Sequence, residues 1–188
     1  MAKYENICKY IHLPVQSGSS NILKKMNRKY DVNSYRKIIE KLKAVNPKIE
    51  ISSDFIIGYP GETDNDFQET LDLVSEIKFT QSYSFIYSAR PGTKSALEED
   101  KTPLDIKKER LLILQDKLRE IQFNFNKTFR GQNIDVLVEN QSMSNPKYFF
   151  GRTPFMQSVY IKSEKINPGQ VKNVNISTCN HKNLYANF

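Results

Sequence analysis

Apolar positions along the chain follow two spacings, and the switches between them mark out the elements. Ile7 to Val15 is a short apolar run, broken by Pro14, that leads into the small polar turn Gln16-Ser-Gly-Ser-Ser20 and reads as a strand and its loop. Asp31 caps a predicted helix through Val32, Tyr35, Ile38, Ile39, Leu42 and Val45, whose three- and four-residue steps give one apolar face before Asn46-Pro47 stops it. Ile49 to Ile57 reads as a second strand. Thr63 opens a second helix, with Asp66 as its capping-box partner and Phe67, Leu71, Val74 and Ile77 on the buried side. Ser82 to Tyr87 is a third strand, and a long helix is predicted from Thr102-Pro103 to Phe129, ended by Gly131.

Strand, helix, strand, helix, strand, helix predicts an α/β arrangement of parallel strands with right-handed crossovers and helices packed outside. Three such units cannot close a barrel. Bare sheet edges are costly, so the pattern predicts pairing with strands from a missing N-terminal half or another chain. From Gln132 the texture changes. Short β-rich runs (Ile134 to Val138, Ser158 to Ile161, Val171 to Ile176) alternate with Asn, Gly and Pro turns and predict a small antiparallel barrel. The reading is thus two domains, residues 1–129 and 130–188.

Charge sharpens the second domain. The chain carries a net +7, of which Arg130 to Phe188 supplies +4 from seven basic and three acidic residues, so the basic excess is concentrated in less than a third of the length. Phosphate neutralisation supplies most non-specific nucleic-acid affinity, and a small basic β-barrel suits that task. Arg130, Lys147, Arg152, Lys162 and Lys165 are the candidate RNA contacts. Tyr148, Phe149, Phe150, Phe155 and Tyr160 lie among them, although a barrel this small must also use several aromatics to fill its core.

The two cysteines, Cys8 and Cys179, have no companions at ligand spacing and read as small core residues in a reducing, cytoplasmic setting. No metal site is expected from them, and no segment approaches the roughly 20 apolar residues that span a bilayer.

In parallel α/β folds ligands sit beyond the carboxyl ends of the strands. The residues to inspect are therefore Gln16, Ser17 and Gly18, then Asp54, Gly58, Gly61 and Glu62, then Ser88, Arg90 and Gly92. Asp54 interrupts an apolar strand, where a carboxylate needs partners, either a ligand's hydroxyls or a neighbouring strand. Gly58 and Gly61 admit close backbone approach around Pro60, and Arg28 offers a planar guanidinium suited to a carboxylate. On spacing alone a ligand loop, a tight structural turn and a phosphate site all remain open.

Four motifs in order add a resemblance: His12-Leu-Pro-Val-Gln-Ser-Gly-Ser19, Met26-Asn-Arg-Lys-Tyr30, Ser53-Asp-Phe-Ile-Ile-Gly-Tyr-Pro-Gly-Glu-Thr63 and Tyr87-Ser-Ala-Arg-Pro-Gly-Thr93. Together with Phe150-Gly-Arg-Thr153 they resemble the radical SAM methylthiotransferases, most closely the MiaB-type branch. The resemblance implies the C-terminal half of a radical SAM partial (β/α) barrel followed by an all-β TRAM barrel that binds RNA. It implies S-adenosylmethionine as cofactor, with Arg28 near its carboxylate end, Gln16 and Asp54 near its ribose and amino groups, Ser17 beside them, and Gly58 and Gly61 shaping the adjoining loop.

For the whole family the resemblance implies transfer of a methylthio group to isopentenyl-modified adenosine at position 37, next to the tRNA anticodon, using two 4Fe–4S clusters. The partner would be the tRNA anticodon stem-loop. The family's three auxiliary cysteines and its Cys-x-x-x-Cys-x-x-Cys motif have no match in this sequence, so no catalytic residue is assigned and the chain alone is expected to be inactive. The alternatives are a non-catalytic tRNA-binding module and a relative acting on a ribosomal protein or on threonylcarbamoyladenosine tRNA.

Overall fold

Alternation along the second strand decides which face of the α/β part is its core. In a computed structural model, which describes residues 7–98, 102–143, 145–163 and 166–187, strand β2 (Glu50–Ile57) turns Ile51, Phe55 and Ile57 into the interior, each at most 2% exposed. Phe55 meets Phe79 edge-on, ring centroids 5.3 Å apart, and Leu73 and Val74 of the following helix are fully buried. Each such side chain contributes about 1.5–3 kcal/mol by leaving water.

β2 lies between β1 (Tyr10–His12) and β3 (Gln81–Ile86), pairing with β3 in parallel register. The apolar run at Ile7–Val15 is therefore regular over only three residues. Past Pro14 the chain rejoins the sheet at Gln16, which forms a parallel bridge with Phe55. A short helix that the periodicity did not reveal, α1 (Ser20–Lys25), buries Ile22 and Leu23 completely. Six residues are too few to display a period, so burial alone defines it.

α2 (Val32–Val45) is capped as expected, the Asp31 side chain accepting from the Ser34 N–H at 2.7 Å. α3 (Asp64–Ile77) has the full capping box: Thr63 Oγ1 accepts from the Asp66 N–H and Asp66 accepts from the Thr63 N–H. Its buried side includes Phe67, Val74 and Ile77, but Leu71 is only half-buried and Leu73 takes the central place. α4 spans Leu104–Lys127, two residues short of the predicted end, and turns out through Gly131 at φ +75°.

The described chain divides into two compact units, Ile11–Leu118 and Arg119–Phe188 with Met1–Tyr10. The second holds a closed five-stranded barrel of β4 (Asn133–Gln141), β5 (Tyr148–Arg152), β6 (Ser158–Lys162), β7 (Val171–Cys179) and β8 (Asn183–Asn187), in the order β4-β5-β6-β8-β7. The expectation of a purely antiparallel barrel is corrected here, because β6 and β8 run parallel. An odd number of strands cannot alternate direction all the way round a closed ring, so one parallel pair is unavoidable. β5 and β8 are not among the runs named from the sequence. Val136, Val138, Phe149, Val159, Ile161, Val174, Ile176, Leu184 and Ala186 fill the interior.

The barrel's cysteine follows expectation in part. Cys179 packs half-buried against the core, where burial pushes its thiol pKa up, whereas Cys8 is exposed and is no core residue. Among the described residues no helix is long and apolar enough to cross a membrane.

Candidate functional site

The segment after β1 is bound to the middle of β2 by main chain, and this brings the backbones of Gln16 and Asp54 together. The Gln16 N–H donates to the Asp54 carbonyl at 2.9 Å, and the Gln16 carbonyl accepts from Ile56 at 2.8 Å. Gln16 pays for this with a left-handed backbone, φ 74°, uncommon outside glycine. Its side-chain amide has no hydrogen-bond partner among the described residues.

Asp54 stands with Ser52 and Ile56 on the face of β2 opposite the core. His12 shares it: His12 Nδ1 lies 2.6 Å from Ser52 Oγ and Nε2 lies 3.4 Å from Asp54 Oδ2. His12 opens the first quoted motif, yet sequence reading assigned it no role; the signal available was the two-residue step that aligns Ser52 with Asp54. The parallel register sets Tyr83 beside Asp54 and Phe85 beside Ile56, and both rings are more than half exposed. The face is thus a half-exposed carboxylate and imidazole bordered by bare aromatic rings.

The remaining residues named from the sequence lie in different surroundings. Ser17 is buried, with its hydroxyl 3.4 Å from Thr70 Oγ1 and accepting from the Ser19 N–H, so it is held within the fold. Arg28 is exposed on the loop after α1, with its N–H bonded to the Leu23 carbonyl and its charge acting on Tyr30. Gly58 and Gly61 both have positive φ, but this chain's own side chains cover them. A Cβ on Gly58 would come within 2.5 Å of Lys107 Cδ, and Lys25 Nζ donates to the Gly61 carbonyl at 3.0 Å.

Between those glycines and α4 lies a buried ion-pair network that sequence reading did not find. Glu62 Oε1 accepts from the Gly58 N–H at 3.0 Å and from Arg110 Nη1 at 2.9 Å, while Arg110 Nη2 reaches Asp64 at 2.6 Å. Glu62 was legible as a loop residue; its partner, 48 positions away on a helix, was not. Burial pushes the Glu62 pKa up, against the pull of Gly58 and Arg110.

A cleft of about 590 Å³ opens elsewhere, among Ser19, Asn21, Arg36, Thr63, Asp66 and Glu69, and includes none of the six residues assigned to S-adenosylmethionine. Its floor is Asp66. Burial raises that carboxyl's pKa, but hydrogen bonds from Ser19, Thr63 and Asn21 outweigh it and hold the group below its usual value. The satisfied carboxylate makes this cleft a structural junction.

In the barrel unit, alternation sorts the aromatics: Phe149 is in the core and Phe155 packs against it, while Tyr148, Phe150 and Tyr160 point outward. Arg130, Lys147 and Lys162 are exposed, and Arg152 bridges Glu139 at 3.3 Å and the Met156 carbonyl at 3.1 Å. Lys165 lies outside the described residues.

Comparison with known proteins bears on both units. Residues 1–74 match the Radical SAM superfamily and residues 127–188 match the TRAM domain. The chain is 47% identical over 160 residues to the tRNA-2-methylthio-N(6)-dimethylallyladenosine synthase of Wolbachia sp. subsp. Brugia malayi (strain TRS), covering 85% of this chain and 36% of that protein. It is 51% identical over 154 residues to the synthase of Rickettsia canadensis (strain McKiel), covering 82% and 34%. With that of Rickettsia conorii (strain ATCC VR-613 / Malish 7) it shares 47% identity over 176 residues, covering 93% and 39%. The chain spans little more than a third of the length of the curated relatives it matches. With both modules in order and about half of the aligned residues identical to theirs, the chain belongs to the radical SAM methylthiotransferase family.

Proposed function

We propose that this chain is the tRNA-holding portion of a methylthiotransferase, the C-terminal half of a radical SAM partial barrel with its TRAM domain, acting in the cytoplasm on isopentenyladenosine at position 37 in the anticodon stem-loop. The observation that carries the reading is the joint match, within one chain, to the radical SAM and TRAM modules in that order. A partly exposed carboxylate at Asp54 and, joined to it through the main chain, a Gln16 amide with no hydrogen-bond partner among the described residues suit the hydroxyls and ammonium of S-adenosylmethionine. Arg28, Ser17, Gly58 and Gly61 are carried by the resemblance. S-adenosylmethionine bound beside a 4Fe–4S cluster supplies the radical chemistry of such enzymes. The protein groups proposed here bind and orient it, and the cysteines for the two clusters would come from the missing N-terminal half, which would also pair with the open sheet.

The test is nucleoside analysis of tRNA from a strain deleted for its own methylthiotransferase. The chain co-expressed with a cluster-bearing N-terminal portion is expected to restore 2-methylthio-isopentenyladenosine, whereas the chain alone is not. Absence of the nucleoside from the paired strain, with both parts soluble and associated, would remove this substrate assignment. A second reading, a tRNA-binding module without catalysis, is favoured by the basic excess of the barrel segment, which supplies +4 of the chain's net +7. Binding of tRNA with a steep salt dependence but no S-adenosylmethionine uptake, even in the paired protein, would support it.

A further inference from the structure

The outward positions of β5, β6 and β8 hold four aromatic rings, two cations, and serine or asparagine elsewhere, with no aliphatic or acidic side chain among them. Phe150, Tyr160 and Tyr185 are direct register partners, Phe150 opposite Tyr160 and Tyr160 opposite Tyr185, so their rings form a row across three strands. The centroids are 5.6 Å apart between Phe150 and Tyr160 and 5.9 Å between Tyr160 and Tyr185, the latter pair nearly parallel at 21°. The barrel core is complete without them, since Phe149, Val159, Ile161, Leu184 and Ala186 occupy the inward positions of the same strands.

The row is also held in place. The Arg152 guanidinium lies 5.3 Å from the Phe150 centroid, and Asn180 Nδ2 donates to Tyr185 Oη at 3.2 Å. Beside it is a hollow of about 360 Å³ where Ser142, Asn145 and Asn183 meet Tyr148, Tyr160 and Tyr185, so amide and hydroxyl groups border the ring faces. Exposed Lys162 is the register partner of Tyr148, next to the row, and exposed Lys147 precedes it.

We propose that the row Phe150–Tyr160–Tyr185 is a platform on which successive unpaired RNA bases stack, with the backbone drawn to Lys147, Lys162 and Arg152. This rests on the reading of the chain as a tRNA-holding portion and names the part of the RNA it grips: single-stranded nucleotides, since paired bases in an A-form helix offer no free face. An apolar protein partner would require aliphatic contact area that this surface lacks.

The experiment measures binding of the full chain to a fluorescently labelled single-stranded RNA of mixed sequence, roughly a dozen nucleotides long, and to its duplex, across a salt series. One stacked base is worth about 1–3 kcal/mol, so Tyr160→Leu and Tyr185→Leu are each expected to weaken single-strand binding roughly 5- to 150-fold with the salt slope unchanged. Tyr160→Phe, which keeps the ring, is expected to bind as the parent does. Lys162→Gln is expected to lower the salt slope by about one phosphate contact. Thermal melting of each variant identifies any that has lost the barrel, and Tyr160→Phe and Lys162→Gln report on a surface left intact. If the parent binds single strands and the leucine variants, still folded, bind equally well, the platform is overturned while RNA binding stands. If the parent binds neither probe at low salt, the tRNA-holding reading falls and the platform with it.

Discussion

Arg110 on α4 places Nη1 2.9 Å from Oε1 of Glu62, and the two side chains are 9% and 1% exposed. The pair ties α4 to the β2–α3 turn, where Glu62 also accepts from the Gly58 N–H. Desolvating two charges costs much of what their attraction returns, so the pair specifies the turn more than it stabilises the fold, but removing one partner strands the other. Arg110→Met is expected to cost about 3–5 kcal/mol by urea unfolding at neutral pH. Burial already raises the Glu62 pKa. A raised folded pKa means stability is greatest below the unfolded carboxylate value and falls as pH rises through the folded one, so the Arg110→Met penalty should shrink at acid pH. Glu62→Gln in the same chain should recover part of it. An equal loss at all pH values would contradict the assignment.

Glu50 offers a separate pH test. Burial pushes its pKa up to about 7, against the pull of Lys43. The neutral form is favoured in the folded protein, so its contribution is present below the ordinary carboxylate pKa and is lost between there and pH 7 to 8. Glu50→Gln, which is always neutral, is expected to gain about 1–3 kcal/mol over the parent at pH 8 and nothing at pH 4, the range allowing for solvent screening of a half-buried group. Melting temperatures at the two pH values check this.

β8 closes the barrel by pairing with β6 on one side and β7 on the other, and its second residue, Leu184, is fully buried. Leu184→Ala is expected to cost about 2–5 kcal/mol through lost burial and the cavity left behind. A chain ending at Cys179 would expose the edges of both neighbours and should lose the cooperative unfolding transition of the barrel. Calorimetry separates the two outcomes.

The S-adenosylmethionine site proposed above rests on Asp54 and Gln16. Hydrogen bonds to charged groups are worth about 1.5–3 kcal/mol. Asp54→Ala in the paired protein is therefore expected to weaken binding at least about tenfold by equilibrium dialysis, with Gln16→Ala having a smaller effect. Unchanged binding in Asp54→Ala would move the cofactor away from this face.

Local patterns determined much of the α/β part. The Asp31 and Thr63 caps, the Asp66 box and the helical period of α2 were legible because each depends on residues within four positions of one another. The strand-to-helix turn between Gly58 and Thr63 was legible for the same reason. What depends on distant partners was not legible: His12 beside Asp54, Arg110 inside the Glu62 turn, and Lys107 over Gly58 join residues 42 to 49 positions apart.

The barrel shows the same division. Its basic, aromatic composition was plain in the sequence, as was its existence. Which aromatic faces inward is set by strand parity, and which rings become neighbours is set by register across β5, β6 and β8. By itself the sequence determined the family, the caps and the charge of this chain, because these reside in local residue identity. Only the tertiary structure decided that Phe149 is core while Phe150, Tyr160 and Tyr185 form one outer row, because a two-residue period and a closed ring of strands fix positions that no single segment contains.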